Sequence, residues 1–257
     1  MTLPDLPNFR DAGGIGSLRP GVVFRAPQLS RLTPQQTSAL AAWGDIQVFD
    51  LRTSDEVHHR PDELPPSAHY TLLDVLADRP HSGAAAVASL VTARDTPTAV
   101  QDINDAVCDG RASDLMIETY RYLVSLPSAH RSYRALFTAL ADDGSPAIIH
   151  CTAGKDRTGW AIAVLQWLCG ASDDAVLADY LGSNAGMERA YRPMLDAFAA
   201  QGGDAESLSD MIFVRPAYLD AAVSLARRMH GDLGGYLTEA VGLDPSVIER
   251  LRSRLSR

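Results

Sequence analysis

The sequence predicts an α/β protein with a central, mostly parallel sheet flanked by helices. Short apolar runs at 22–24, 46–51 and 146–149 have the composition of buried strands. Longer segments with helical patterns separate them, and this alternation of strand and helix is typical of a parallel sheet. The segment 160–168 is apolar on nearly every face, interrupted only by Gln166, and predicts a helix buried against that sheet.

Cap and turn residues indicate where the predicted helices and strands begin and end along the chain. The glycine-rich segment 8–25 predicts a turn-rich arm that ends in a strand. Thr33 and Pro34 supply an N-cap and a first-turn proline for a helix that runs to about Trp43. The patterns then predict, in order, a proline-rich loop at 61–66, a strand at 68–73, a helix with loops at 79–102, helices at 112–125 and 130–141, a helix capped by Ser172, a helix at 186–200, and two or three helices after Pro216.

Composition and charge exclude several classes of function. The 257 residues carry a net charge of −9, so the long-range field repels nucleic acid and anionic membrane surfaces. Three cysteines without paired spacing form neither a disulfide framework nor a zinc site, and the histidines lack metal-ligand spacing, so we expect no metal and no cofactor. No apolar run approaches the ~20 residues of a transmembrane helix. The N-terminal residues lack a secretory signal, which predicts a cytoplasmic location, with export without a recognisable signal left open. We also expect a monomer.

The segment 150–159, His-Cys-Thr-Ala-Gly-Lys-Asp-Arg-Thr-Gly, joins a predicted strand to a predicted helix. The unpaired N–H groups of such a loop and helix start converge on one spot, where the helix dipole favours an anion. Cys151 opens the loop and Arg157 closes it, so a thiol and a guanidinium face the same anion. This environment stabilises a thiolate, which is the nucleophilic form of cysteine.

These groups together predict displacement at phosphorus. The Cys151 sulfur would attack in line with the leaving oxygen and form a phosphocysteine, which water then hydrolyses. Thr158 can offer its hydroxyl to the sulfur and ease its departure in the second step. The residues predicted to bind the phosphoryl oxygens are Thr152, Ala153, Gly154, Lys155, Asp156 and Arg157.

Four residues in or near this loop have their own interpretation. Lys155 is the only lysine among 23 basic residues, and we interpret it as a point-charge ligand for phosphate. His150 is expected to bury a ring nitrogen against loop carbonyls and to help fix the thiolate. Asp50 and Arg52 end a predicted strand, where open α/β sheets place their sites, but the favoured interpretation is a salt-bridged pair that braces the loop.

The motif His150-Cys151, five residues and Arg157 resembles the signature of cysteine-dependent protein tyrosine phosphatases. Ala153 to Gly159 is similar to an atypical bacterial branch of that superfamily with mycobacterial members. The likeness covers essentially the whole chain, in order. The matching stretches are Asn8-Phe9-Arg10-Asp11, Leu18-Arg19-Pro20-Gly21, Phe24-Arg25, Leu29-Ser30-Arg31-Leu32, Asp50-Leu51-Arg52, Ile103-Asn104-Asp105, Ala178-Asp179-Tyr180-Leu181, Ser183-Asn184 and Gly234-Gly235-Tyr236-Leu237.

The resemblance implies a tyrosine-phosphatase-like fold in which residues 1–257 form one catalytic domain with a helical lid at 184–215. The pattern alone permits this lid. An apolar stripe on the predicted helix at 186–200 precedes a flexible break at 201–204, although such a stripe is usually core. A helix pair on flexible connections can exclude water from a thiolate.

The leaving oxygen needs a proton, so the mechanism requires a carboxylic acid nearby. The sequence contains no Trp-Pro-Asp, the usual source in tyrosine phosphatases. Asp156 lies inside the anion loop and is the leading candidate, and the resemblance also implies this position. Asp74 and Asp78 are alternative candidates, considered also as residues that orient Arg157. A carboxylate at Asp156 that only pairs with Lys155 and with Arg10 or Arg25 remains an open alternative.

The predicted function is therefore hydrolysis of phosphate monoesters. The expected substrates are phosphotyrosine proteins, with phosphoserine, phosphothreonine and phosphoinositide lipids also considered. Two alternatives stay open, a sulfurtransferase of the rhodanese type and a catalytically silent phosphate-binding module. Gly154, Arg157 and Thr158 fit the phosphatase loop better than the sulfurtransferase loop.

Overall fold

The structure is a computed structural model that describes residues 3, 5–79 and 98–257 of the chain. Most of the helix and loops predicted at 79–102 lies outside these residues.

A five-stranded sheet forms the centre of the described part of the protein, in the order β1-β2-β5-β3-β4. Every neighbouring pair is parallel except β1 with β2, which is antiparallel, so the predicted mostly parallel sheet is confirmed. The strands are β1 (Arg10–Asp11), β2 (Val23–Ala26), β3 (Ile46–Asp50), β4 (Ala68–Leu72) and β5 (Ala147–His150).

Helices follow and flank the strands. Their bounds are α1 (Pro34–Ala41), α2 (Ser54–His59), α3 (Ala99–Val107), α4 (Arg111–Ser125), α5 (Pro127–Asp142), α6 (Arg157–Leu168), α7 (Asp173–Leu181), α8 (Ser183–Ala200), α9 (Ala205–Ile212), α10 (Pro216–His230) and α11 (Pro245–Leu255). A short helical turn, Leu233–Gly235, continues into a π-helical turn, Tyr236–Ala240, between α10 and α11. Within the described residues, no helix has the length and hydropathy required to cross a membrane.

The central strand β5 is buried along its whole length because β2 and β3 pair with it on either side and helices cover both faces. Alternate residues of a strand point to opposite faces, so Ile149 packs in the main core while Ile148 packs in a second cluster with Phe24 and Val48. Helix α6 lies in the main core, and ten of its twelve residues are buried. The apolar run at 160–168 is therefore a buried helix, as predicted.

The strand register determines where the site forms. Ala26 pairs with His150, and Asp50 pairs with His150 from the other side. The carboxyl ends of β2, β5 and β3 therefore lie next to one another at one edge of the sheet. Open α/β sheets bind their ligands outside this edge.

Strand β1 and helix α2 were not predicted from the sequence. Strand β1 has two residues, and α2 has six residues of which none is buried. Such short elements carry too few apolar residues to produce a periodic pattern. Helix α2 forms because Thr53 and Glu56 make a capping box at its first turn.

Helices α8 and α9 occupy the region 184–215 and pack mainly outside the main core. Leu195 and Phe198 of α8 and Leu208 of α9 join Ile103 and Val107 of α3 in a separate apolar cluster. The stripe predicted on this helix is only partly core. Met187, Leu195 and Phe198 are buried, whereas Tyr191 and Met194 are half-buried.

Candidate active site

Residues 151–156 form the loop between β5 and α6, and Arg157 is the first residue of α6. Gly154 has a φ of +68°, a conformation that side chains with a Cβ rarely adopt. A Cβ at Gly154 would lie 2.2 Å from the carbonyl oxygen of Ala26, at the end of β2. Glycine is required here because the loop folds tightly against the neighbouring strand.

The N-terminal arm and α7 hold the outside of this loop. The guanidinium of Arg25, which is completely buried, donates from Nη2 to the carbonyl of Gly154 at 2.7 Å. The side-chain amide of Asn8 donates to the carbonyl of Ala153 at 3.0 Å. Asp179 of α7 accepts from Arg25 Nη1 at 3.2 Å and from Arg10 Nε at 3.1 Å, so it fixes both arginines.

The inside of the loop keeps its donors free. Within the described part of the chain, the N–H groups of residues 152–156 donate to no backbone carbonyl. These amides, together with the N-terminus of α6, can therefore bind an anion. Cys151 stands at the start of the loop and is 2% exposed.

Glu56 holds the guanidinium of Arg157 in a two-point ion pair. Arg157 Nη1 lies 2.5 Å from Glu56 Oε2, and Nη2 lies 2.9 Å from Oε1. Burial acts to raise the pKa of Glu56, but the charge of Arg157 and its hydrogen bonds outweigh burial and place this pKa well below its usual range. Burial acts to lower the pKa of Arg157, but Glu56 and the charge at Cys151 raise it overall, so Arg157 stays cationic.

Sequence reasoning missed Glu56, although the sequence contains a signal for it. Thr53-Ser54-Asp55-Glu56 is a capping box, and Glu56 Oε2 accepts from the Thr53 amide at 2.8 Å. One carboxylate therefore caps α2 and orients Arg157. The Thr152 hydroxyl also donates to Glu56 Oε1, which ties the phosphate loop to α2.

The two alternative acids, Asp74 and Asp78, make hydrogen bonds to residues outside the loop. Asp74 Oδ2 accepts from the amide of Ser54 at 3.0 Å, so it holds the start of α2, the helix that carries Glu56. Burial raises the pKa of Asp74. Asp78 instead accepts from the amide of Ser128 at 2.6 Å and lies 3.6 Å from the guanidinium of Arg131.

Asp156 lies at the N-terminus of α6 with its carboxylate partly exposed, at 19%. Lys155 Nζ lies 2.9 Å from Oδ1 and 2.8 Å from Oδ2, and the hydroxyl of Tyr120 donates to Oδ1 at 2.9 Å. Arg10 and Arg25, considered from the sequence as partners of Asp156, pair with Asp179 instead. Asp156 and Lys155 therefore form a pair beside the phosphate loop.

His150 is completely buried, but carboxylates as well as a carbonyl surround it. Its Nε2 lies 3.1 Å from Asp62 Oδ2, and its Nδ1 lies 3.8 Å from Asp50 Oδ1 and 3.4 Å from the Cys151 carbonyl oxygen. The predicted pair of Asp50 and Arg52 is confirmed as a buried salt bridge of 2.6 Å. Sequence reasoning did not find Asp62, which comes from the proline-rich loop.

Asp50, Asp62 and His150 bring three potential metal-ligating atoms within 4.8 Å of one another. The guanidinium of Arg52 lies among them, 2.6 Å from Asp50 and 2.9 Å from Asp62. This fixed positive charge satisfies the two carboxylates and opposes a metal cation. The cluster is better described as a buried ionic network behind the phosphate loop.

Thr158 and Tyr191 also bear on the chemistry of the site. The hydroxyl oxygen of Thr158 is fully buried and has no hydrogen-bond partner among the described residues. Burial raises the pKa of the Tyr191 phenol in α8. The negative charges at Cys151 and Asp156 raise this pKa further.

A mostly parallel sheet that presents a cysteine and an arginine on one strand–loop–helix turn, with free amides between them, defines the class of cysteine-dependent phosphatases. The sequence profile described as "Tyrosine phosphatase family" matches residues 1–257, and the chain belongs to this family. It is similar to the triple specificity protein phosphatase PtpB of Mycobacterium tuberculosis, with 34% identity over 98% of both chains. This similarity confirms the resemblance to the mycobacterial branch.

Two other bacterial chains are related over most of their length. A chain from Cupriavidus necator is 28% identical over 95% of this protein and 85% of its own length. A tyrosine-protein phosphatase of Nostoc commune is 25% identical over 91% of this protein and 74% of its own length. The similarity therefore extends well beyond the phosphate loop.

Proposed function

We propose that this protein hydrolyses phosphate monoesters, phosphotyrosine in proteins above all, through a phosphocysteine on Cys151. One observation carries the proposal. Cys151 and Arg157 stand at the two ends of a loop whose amides are free, at the N-terminus of a buried helix. Such a loop holds a phosphoryl dianion with its phosphorus against the sulfur.

Binding would use the loop amides from Thr152 to Arg157 and the guanidinium of Arg157. Glu56 engages both terminal nitrogens of that guanidinium, and their other hydrogens make longer bonds to the Leu51 carbonyl at 3.4 Å and the Thr152 hydroxyl at 3.2 Å. Phosphate would bind the Nε–H, which has no partner among the described residues, and would replace these two longer bonds. Because Glu56 fixes the plane of the Arg157 guanidinium before the substrate binds, little conformational entropy is lost when the phosphoryl dianion arrives.

The first chemical step would form a sulfur–phosphorus bond and break the bond between phosphorus and the leaving oxygen. The electron pair goes to that oxygen, which takes a proton from Asp156. Asp156 suits this role because its partly exposed carboxyl lies in the loop, beside the incoming phosphate. Lys155 would turn its ammonium from Asp156 toward the phosphate, which removes the positive charge that favours the ionised carboxylate.

In the second step water attacks phosphorus and the thiolate leaves. Thr158 has a buried hydroxyl with no partner in the described part of the chain, so it can donate to the departing sulfur. Asp156, now a carboxylate, would accept a proton from the attacking water. Inorganic phosphate and the free Cys151 thiolate complete the cycle.

The substrate range is proposed to include phosphoserine, phosphothreonine and phosphoinositides. The name of the mycobacterial relative states triple specificity for that protein. In this chain, Lys155 adds a cation beside Arg157 that could bind a second phosphate. Turnover rates for a phosphotyrosine peptide and a phosphoinositide, measured side by side, determine the preference.

We also propose that residues 184–215 act as a lid and that the protein works as a monomer in a reducing compartment. The lid proposal is supported by the separate apolar cluster of α8 and α9 and by the position of Tyr191, whose pKa is raised by burial and then by the charge at Cys151. A reducing compartment would keep the thiol of Cys151 available, since all three cysteines are free.

The direct test is the substitution Cys151→Ser, with Cys169→Ser as the matched control. Cys169 is equally buried but lies at the far end of α6. Release of phosphate from an aryl phosphate should fall below detection for Cys151→Ser and stay near the wild-type rate for Cys169→Ser. Full activity of Cys151→Ser would refute the mechanism. A sulfurtransferase or a silent binding module would release no phosphate even as the wild type.

A further inference from the structure

Two buried tyrosines lead from the protein interior to the carboxylate of Asp156. Tyr180 of α7 donates its hydroxyl to the hydroxyl of Tyr120 of α4 at 2.7 Å, and Tyr120 donates to Asp156 Oδ1 at 2.9 Å. Tyr120 and Tyr180 are 0% and 1% exposed. Two hydrogen bonds in series therefore connect three segments that are distant in sequence, and they end at one oxygen of the carboxyl group.

The direction of this chain follows from the chemistry of its members. An ionised carboxylate only accepts hydrogen bonds, so the single proton of the Tyr120 hydroxyl must point to Asp156. The oxygen of Tyr120 then accepts the proton of Tyr180. Burial first, and then the charge of Asp156, raise the pKa of both phenols well above its usual value, so both stay neutral donors.

A donor fixed at Oδ1 also decides where an acidic proton can reside. When Asp156 is protonated, the hydrogen from Tyr120 still occupies Oδ1, so the proton of the acid is placed on Oδ2. Lys155 bonds both oxygens in the free site, and therefore does not distinguish them. Among the residues that the structure describes, Tyr120 alone makes the two oxygens of this carboxyl group different.

We propose that Tyr120, backed by Tyr180, is a positioning residue that holds the Asp156 carboxyl with its Oδ2 proton toward the leaving oxygen. This proposal rests on the proposed function and deepens it. Tyr120 does not touch the substrate and acts through Asp156.

Packing alone does not account for the hydroxyl groups. The ring of Tyr120 lies 6.1 Å from the ring of Tyr180 and 5.9 Å from the ring of Tyr218, and phenylalanine rings would fill the same volume. Tyr218 belongs to this cluster, but its hydroxyl donates to the carbonyl of Asp210, away from the site. Tyr218 thus provides a matched control for loss of one buried phenol hydroxyl.

The test compares Tyr120→Phe and Tyr218→Phe on two aryl phosphates, p-nitrophenyl phosphate, which has a good leaving group, and phenyl phosphate, which has a poor one. Loss of a positioned acid slows the poor leaving group more. For Tyr120→Phe we expect kcat to fall roughly tenfold with phenyl phosphate and less than about threefold with p-nitrophenyl phosphate. Tyr218→Phe should change kcat by the same factor with both substrates. Tyr180→Phe should lower kcat more with phenyl phosphate than with p-nitrophenyl phosphate, as Tyr120→Phe does, but by a smaller factor.

A double-mutant cycle separates positioning from general damage to the fold. In an Asp156→Asn background, Tyr120→Phe should cause no further loss that depends on the leaving group. An equal loss on both substrates, or a bias that persists without Asp156, would overturn the proposal. In either case the wild-type activity and its dependence on Cys151 would stand, so failure here is distinct from failure of the proposed function. Should Tyr120→Phe not fold, the Tyr180→Phe bias decides the same question.

Discussion

At the residue scale, each cation of the phosphate loop has its own carboxylate. Arg157 pairs with Glu56, and Lys155 pairs with Asp156. The two pairs serve different ends. Arg157 is locked in a fork that keeps its charge and its plane fixed, whereas Lys155 has a rotatable ammonium that can exchange a carboxylate for a phosphate. One basic residue therefore preorganises the site, and the other can respond to the substrate.

Removing the partner of Arg157 should affect activity and stability together. Glu56→Gln retains the shape but loses the charge, so Arg157 is left partly buried without its counterion. We expect kcat/KM to fall about 10- to 100-fold and the free energy of unfolding to fall by about 1–3 kcal/mol, between the values for exposed and buried pairs. The control is Glu188→Gln, which removes an exposed pair with Arg192 and should change neither quantity appreciably.

The pH dependence of this effect has a definite sign. The pKa of Glu56 is lowered in the folded protein, so its stabilisation is present above the ordinary glutamate pKa and is lost as pH falls toward the folded-state value. Urea unfolding should give a constant difference between wild type and Glu56→Gln from about pH 7 to pH 5, and a shrinking one below about pH 4. A difference that grows in acid would contradict the ion pair.

At the element scale, the loop between β5 and α6 is held from two sides. Its carbonyls accept from Arg25 and Asn8 on the outside, and the Thr152 hydroxyl donates to Glu56 of α2. The loop also rests against the end of β2 at Gly154. Because neighbouring elements bind the carbonyls and the Thr152 hydroxyl on the outside of the loop, the loop amides are left to face inward.

Gly154→Ala tests the contact between this loop and β2. The new Cβ would lie 2.2 Å from the Ala26 carbonyl oxygen, so the loop must shift. Gly44 has a similarly positive φ of +74° but open space around it, so Gly44→Ala reports the backbone strain alone. We expect Gly154→Ala to cost more stability than Gly44→Ala in urea unfolding, by about 1–3 kcal/mol, and to lower kcat/KM at least tenfold. Equal losses of stability would show that the loop does not depend on this contact.

At the scale of the whole molecule, the sequence predicted what is local and missed what is distant. The strand, the loop and the helix around Cys151 are contiguous, so their spacing alone indicated an anion site. The Asp50–Arg52 pair spans two residues and was also predicted. Glu56 and Tyr120 reach the site from segments far away in sequence, and only the tertiary arrangement brings them there.

The signal for Glu56 was present but concerned a different property. Its capping box predicts the start of a short helix and carries no information about a partner 101 positions away. The sequence around Tyr120 gives even less information about its role, because a tyrosine on an amphipathic helix has the pattern of an ordinary core residue. The family match identifies the class of reaction. The geometry of the site identifies the residues that orient the reacting groups.

The whole protein carries a net charge of −9, yet its site is built to hold a dianion. Local donors must therefore overcome an unfavourable long-range field. The amides of the loop, the start of α6, Arg157 and Lys155 all act within a few ångströms of the phosphate, where the field of distant charges is screened by salt. Affinity for phosphate is thus a property of the loop and its partners rather than of the overall charge.

The most direct measurement is to trap the covalent intermediate. Enzyme mixed with an aryl phosphate and quenched in acid during the first turnover should carry one phosphate, and peptide mass spectrometry should locate it on Cys151. With p-nitrophenyl phosphate, whose good leaving group needs little help from an acid, Asp156→Asn should slow mainly hydrolysis of the intermediate and is expected to accumulate more of it. Steady phosphate release by enzyme that never carries phosphate on Cys151, or carries it on another residue, would contradict the mechanism.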